Sequence, residues 1–197
     1  MFSLFLSQAL TMPLPPRYPG IAFNKTDGLV LYELFCCPLC PDCRTFWPKA
    51  EQIMNTFGNN IQFIYHFVPL PFHTWAFSVV KTILAVNSIN NQAAQTLIHW
   101  FYSEDQDNFS NQKLQNNTAS QVKTTLLQYA SSKTGISYEK LNSIFDDFED
   151  QARLEFKFAC EHSISGTPTS VLNGVPKSYD PETDVQTIID YIKTLIP

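Results

Sequence analysis

Four of the five cysteines fall within eight residues, Cys36-Cys37-Pro38-Leu39-Cys40-Pro41-Asp42-Cys43, and this stretch restricts what the chain can become. An almost continuous apolar run, Leu29 to Phe35, precedes it and reads as a strand buried on both faces. Arg44 to Phe57 follows, with Phe46, Trp47, Ala50, Ile53, Met54 and Phe57 at helical spacing and Gly58 as the stop. A strand, a C-x-x-C and a helix together suggest thiol redox chemistry. Two such spacings overlap, Cys37 with Cys40 and Cys40 with Cys43. Pro41 favours the second. Proline suits the first helical position, where its missing N–H would be unpaired in any case, so Cys40 becomes the N-cap. Cys43 then lies one turn in, within disulfide reach. The free amides and positive end of the helix should stabilise a Cys40 thiolate.

The remaining periodicities build an α/β architecture around this site. Ile61 to Val68 reads as a second strand, ended by Pro69-Leu70-Pro71. Phe72 to Cys160 then looks helical. Phe72, Trp75, Ala76, Val79, Val80 and Ile83 mark one apolar face, and Ser137 is a plausible N-cap further on. The polar stretch Ser103 to Gln121 is expected to be a mobile loop. Thr169 to Leu172 is a short strand, Asn173-Gly174 a hairpin turn, and Val175 to Tyr179 the returning strand, held to a sheet edge by Pro176. Asp180-Pro181 is expected to open a last helix with Val185, Ile188, Ile189, Ile192 and Leu195 inward. The sum is βαβ, a helical insertion, then ββα. The predicted organisation is an N-terminal Pro-rich extension over 1–20 and one domain over 21–197, with the insertion at about 72–160.

Composition narrows the function classes. Hydrophobic residues make up 44% of the 197, with 16 Phe and 8 Tyr, enough for a packed core. A net charge of −5 and the absence of a basic run argue against a nucleic-acid partner. No apolar stretch approaches the roughly 20 residues needed for a membrane span. Met1 to Leu10 is apolar but short, lacks a basic start and is interrupted by Ser7-Gln8, so it makes a poor secretory signal. If it does act as one, the protein belongs to the secretory pathway, the ER lumen or the extracellular space; otherwise it is cytoplasmic.

With Cys40-Pro41-Asp42-Cys43, Pro48 eight residues after Cys40, and Gly166-Thr167-Pro168-Thr169 before a strand, the chain resembles the thioredoxin superfamily. It is most similar to the DsbA-like branch with a helical insertion. Trp47-Pro48 and Val68-Pro69-Leu70-Pro71-Phe72-His73 resemble a eukaryotic DsbA-like group. The resemblance implies a thioredoxin-like fold with a central mixed sheet and a thiol–disulfide oxidoreductase without a cofactor. Cys40 would be the nucleophile and Cys43 its resolving thiol. Pro41, Asp42, Thr167 and Pro168 would contact the substrate, the last two through a cis-proline loop. Implied partners are proteins or peptides with thiols or disulfides, and glutathione. One departure stands out. Relatives often carry a buried acid six residues before the first active cysteine, where this chain has Leu34. Glu33 is adjacent but faces the other way unless a bulge near Cys36-Cys37 turns it.

Other readings compete. Cys36 is expected to be buried at the strand end and Cys37 a bystander, with Cys37 as an accessory redox thiol pairing with Cys40 or Cys43 the alternative. Cys160 is expected to be a buried structural thiol. His66 should be a hydrogen-bonded core histidine, and His73 a cap or solvent-exposed, with a position facing the active-site groove the alternative. Cys37, Cys40 and Cys43 also fit the start of an iron–sulfur or zinc motif, but a fourth ligand would fall on Trp47. A non-catalytic thioredoxin-fold binding protein and a kappa-class-like glutathione transferase share the architecture. Neither needs a second cysteine in the helix.

Overall fold

The computed structural model describes residues 18–24 and 29–196. The expectations for the N-terminal apolar and Pro-rich segment up to residue 17, and for a turn at Asp27-Gly28, lie outside the described residues. Five strands form one mixed sheet in the order β1-β3-β2-β4-β5. They are β1 (Ile21–Ala22), β2 (Val30–Cys36), β3 (Ile61–Phe67), β4 (Thr169–Leu172) and β5 (Val175–Lys177). β2 and β3 are parallel, and the crossover between them is α1 (Pro41–Phe57). The other pairings are antiparallel.

Strand alternation assigns the two faces. Tyr32, Leu34 and Cys36 of β2, with Phe63, Tyr65 and Phe67 of β3, join the core formed with α1 and with α8 (Val185–Lys193). Phe35 turns the other way, packing with Val68, Ala159 and Ile164 beneath α7 (Glu149–Glu161). Between β3 and β4 the chain is helical: α2 (Ala76–Ile89), α3 (Asn91–Phe101), α4 (Asn111–Leu114), α5 (Ala119–Thr134), α6 (Tyr138–Ile144) and α7. Ser137 caps α6 by accepting from the Lys140 amide. Thr118 and Gln121 form a reciprocal capping box on α5. This is a thioredoxin-like α/β fold with an inserted helical subdomain. Among the described residues, no helix is long and apolar enough to cross a membrane.

Four local expectations are corrected. Ser103 to Gln121 is not a loop: a 3-10 segment (Glu104–Phe109) and α4 fill it, because Phe109 and Leu114 find the core. The last helix starts at Val185, capped by Asp184, instead of at Pro181. Asp180 accepts from the Glu182 amide, and its carbonyl from Thr183, which makes a turn there. Phe72 is 65% exposed and precedes α2, off the core face. Cys160 is exposed. The inward line of α7 is Ala152, Glu155 and Ala159, and the next residue is rotated about 100° from it.

Candidate redox site

Cys40 has extended backbone angles and caps α1, with Pro41 at the first helical position. The turn before it is closed by the Cys40 amide donating to the Cys37 carbonyl, 3.1 Å. Cys43 is fully buried and Cys40 is 5% exposed, so only Cys40 opens outward. The Thr167–Pro168 peptide bond is cis, and the Cys40 thiol donates to the Thr167 carbonyl at 3.6 Å. Chain segments 127 residues apart thus meet at one sulfur. The buried Thr167 hydroxyl makes no hydrogen bond of its own, yet lies against both thiols and favours their ionised forms.

In the reduced protein the thiols are not ionised. The hydrogen bond with Cys43, then burial, push Cys40 far above the ordinary thiol range. Burial, followed by the neighbouring Cys36 thiol, raises Cys43 as well. The sequence-based expectation of a stabilised Cys40 thiolate is therefore corrected: at this N-cap the low-dielectric surroundings and the second thiol outweigh the helix end.

Glu33 does not reach the site. β2 pairs with β3 residue by residue from Val30–Ile61 to Cys36–Phe67, without a bulge, so Glu33 stays on the far face. There it accepts from the Tyr18 hydroxyl (2.5 Å) and lies 3.1 Å from His66 Nε2. Burial acts to raise Glu33, but the His66 and Tyr18 hydrogen bonds outweigh it and hold the carboxyl below its usual range. Burial depresses His66, so the pair is carboxylate with neutral imidazole.

Several residues around the thiols carry no motif. Gln106, from the presumed loop, is buried and donates to the carbonyls of Pro38 (3.1 Å) and Cys40 (3.3 Å). Arg44 pairs with Asp107 at 2.9 Å beside it. Tyr102 donates to the Cys37 carbonyl and is bonded to Tyr65. His73, expected to be a cap or solvated, places Nδ1 3.1 Å from the Cys37 sulfur. Only a pattern linking residues 36 to 68 positions apart would have shown these contacts. Cys36 is buried at the end of β2, as expected. Among the described residues no group of three His, Cys, Asp or Glu is placed to hold a metal ion.

The sheet order, the helix-capping C-x-x-C and the facing proline loop define a thioredoxin fold. The thioredoxin family profile matches residues 25–192, and the chain belongs to that family. No curated protein matches it in sequence. Among solved structures it is similar to oxidised BdbD from Bacillus subtilis, at 17% identity over 90% of this chain and 92% of that one, TM-score 0.72. It is also similar to the thiol-disulfide exchange protein alpha-DsbA2 from Wolbachia pipientis, at 15% identity over 89% and 87%, TM-score 0.70. The oxidoreductase NmDsbA1 from N. meningitidis superposes at 19% identity over 95% and 89%, TM-score 0.61. At these identities the likeness is one of fold.

Proposed function

We propose that the protein is a thiol–disulfide oxidoreductase acting on proteins or peptides, with Cys40 as nucleophile and Cys43 as resolving thiol. The observation that carries this is the stacking of the two sulfurs at the start of α1. One is reachable from outside, the other is buried behind it, and both lie against Thr167. In the reducing direction the Cys40 thiolate attacks a substrate disulfide, and one substrate thiolate leaves. Cys43 then attacks Cys40 and expels the second, closing the Cys40–Cys43 disulfide. In this reading the Thr167 hydroxyl donates to whichever sulfur carries the charge. Pro41 and Asp42 flank the attacking sulfur, and Thr167-Pro168 lies opposite, where a substrate strand would run. The relatives named for thiol-disulfide exchange and oxidoreduction support the same reading.

Insulin reduction with dithiothreitol tests it. The wild type should accelerate precipitation of the B chain, Cys40→Ser should leave the uncatalysed rate, and Cys43→Ser should fall between them. Equal, uncatalysed rates for all three proteins would overturn the reading.

A further inference from the structure

One cysteine outside the proposed pair, Cys37, has a more elaborate environment than a bystander needs. Cys37 is fully buried. Its sulfur lies 3.1 Å from His73 Nδ1, and the amides of Leu70 and Leu39 also point at it. His73 is only partly buried, so its proton exchanges with solvent; burial lowers it and keeps the imidazole neutral, with the Asp42 carboxylate opposing that shift more weakly. Thiol and imidazole are thus paired as a nucleophile and a base. The hydrogen bond from the Cys40 amide to the Cys37 carbonyl makes residues 37–40 a β-turn, whose ends lie within about 7 Å at Cα. A disulfide spans about 4.4–6.8 Å between Cα atoms, a range that overlaps the separation such a turn allows. Being buried, Cys37 cannot take up a protein disulfide directly; Cys40 brings one to it.

We propose that Cys37, with His73 as its proton acceptor, is a second resolving thiol for Cys40. This rests on Cys40 being the nucleophile. Once Cys40 holds a mixed disulfide, the Cys37 sulfur bonds to the Cys40 sulfur as the Cys40–substrate bond breaks. The electron pair leaves on the substrate thiolate, the Cys37 proton passes to His73, and the thiolate is protonated from solvent. Two thiols are oxidised to one disulfide and one substrate disulfide is reduced. The closed Cys37–Cys40 form leaves Cys43 as a free thiol, which can attack Cys40 in turn and regenerate Cys37. Burial holds Cys37 as a thiol at rest, so the step requires a base, and His73 is in contact with it.

The test uses the full chain in a Cys160→Ser background, since Cys160 is exposed. Reduced Cys43→Ala is treated with one equivalent of 5,5′-dithiobis(2-nitrobenzoate), which caps Cys40 with thionitrobenzoate. Release of that group at 412 nm is followed, and the product is mapped by mass spectrometry. The expected product is the Cys37–Cys40 disulfide, with the second thionitrobenzoate expelled. Cys37→Ala/Cys43→Ala should retain the adduct. His73→Gln in the Cys43→Ala protein should slow the release about 100-fold at pH 7, the scale of a lost general base. The titratable groups facing His73 are Cys37 and Asp42. Release should rise through the titration of His73, and His73→Gln should remove that rise, which a merely structural role would leave in place. Cys43→Ser gives the same comparison if the alanine variant misfolds. An adduct as durable in Cys43→Ala as in the double variant overturns the proposal. So does a disulfide that persists in the double variant, which would assign resolution to Cys36. If Cys40 is never capped in any variant, the oxidoreductase reading fails as well. If Cys40 is capped and Cys43 resolves it but Cys37 does not, only the present inference fails.

Discussion

Pro41 settles which sulfur starts the helix, and that single residue separates the overlapping motifs. It was legible because its constraint is local: a fixed φ and a missing N–H act within one turn. The charge state at Cys40 was not legible. It depends on burial and on the position of the Cys43 sulfur, which outweigh the helix end. Alkylation of reduced Cys40 by iodoacetamide should therefore rise about tenfold per pH unit from pH 6 to 8, because the thiolate is the reacting form and the pKa lies above that window. A plateau within that window would show a low Cys40 pKa and contradict the account. Raising the thiols removes the thiolate stabilisation that would favour the reduced form, which points to a less oxidising site. Asp42 works in the same direction by repelling a thiolate at Cys40. The exposure of Cys160 and the partner of His73 were not legible, for the opposite reason to Pro41. One lies a single step off the inward line of α7, and the other is paired across 36 residues.

At the scale of elements, strand alternation and the helical insertion were readable, and the polar stretch within that insertion was not. Apolar runs and turn residues located β2, β3, the β4–β5 hairpin and α1, because those signals lie within each element. The polar stretch 103–121 looked like a loop. Its structure comes from scattered anchors, Gln106, Phe109 and Leu114, that reach distant parts of the chain. Gln106 matters most for the site, since it satisfies two carbonyls at the start of α1. Gln106→Ala leaves those buried acceptors without that donor and should cost about 1–3 kcal/mol. Urea denaturation of the reduced protein should show a lower midpoint with an unchanged slope. An unchanged midpoint would mean that the segment does not brace the helix.

Across the whole molecule, a second buried polar group lies on the face of the sheet away from the thiols. Glu33, His66 and Tyr18 are bonded together, and Glu155 accepts from the Gly20 amide at 2.8 Å. Gly20 has φ +93°, and a Cβ there would come within 2.6 Å of the Tyr65 carbonyl, so only glycine fits this approach. Burial pushes the Glu155 carboxyl from 4.5 up to about 7, more than the Gly20 and Phe67 amides pull it down. Above pH 4.5 the unfolded chain releases this proton while the folded chain keeps it. Stability should therefore fall as the pH rises from 4.5 to about 7, by up to about 3 kcal/mol from this group. Glu33 acts in the opposite sense, its contribution being lost as the medium becomes acid. Glu155→Gln should flatten the decline, stabilising the protein more at pH 8 than at pH 5 in thermal unfolding; an equal shift at both would contradict the assignment. These groups anchor residues 18–20 to the sheet on the face away from Cys40, Cys43 and Thr167, where the thiol chemistry is proposed. The most direct test of that division is equilibration of the wild-type chain in glutathione redox buffers, with the disulfides mapped by mass spectrometry. The account predicts one cooperative two-electron transition that closes Cys40–Cys43. A protein whose first disulfide forms without Cys40, or whose Cys40 stays a free thiol throughout, would contradict it.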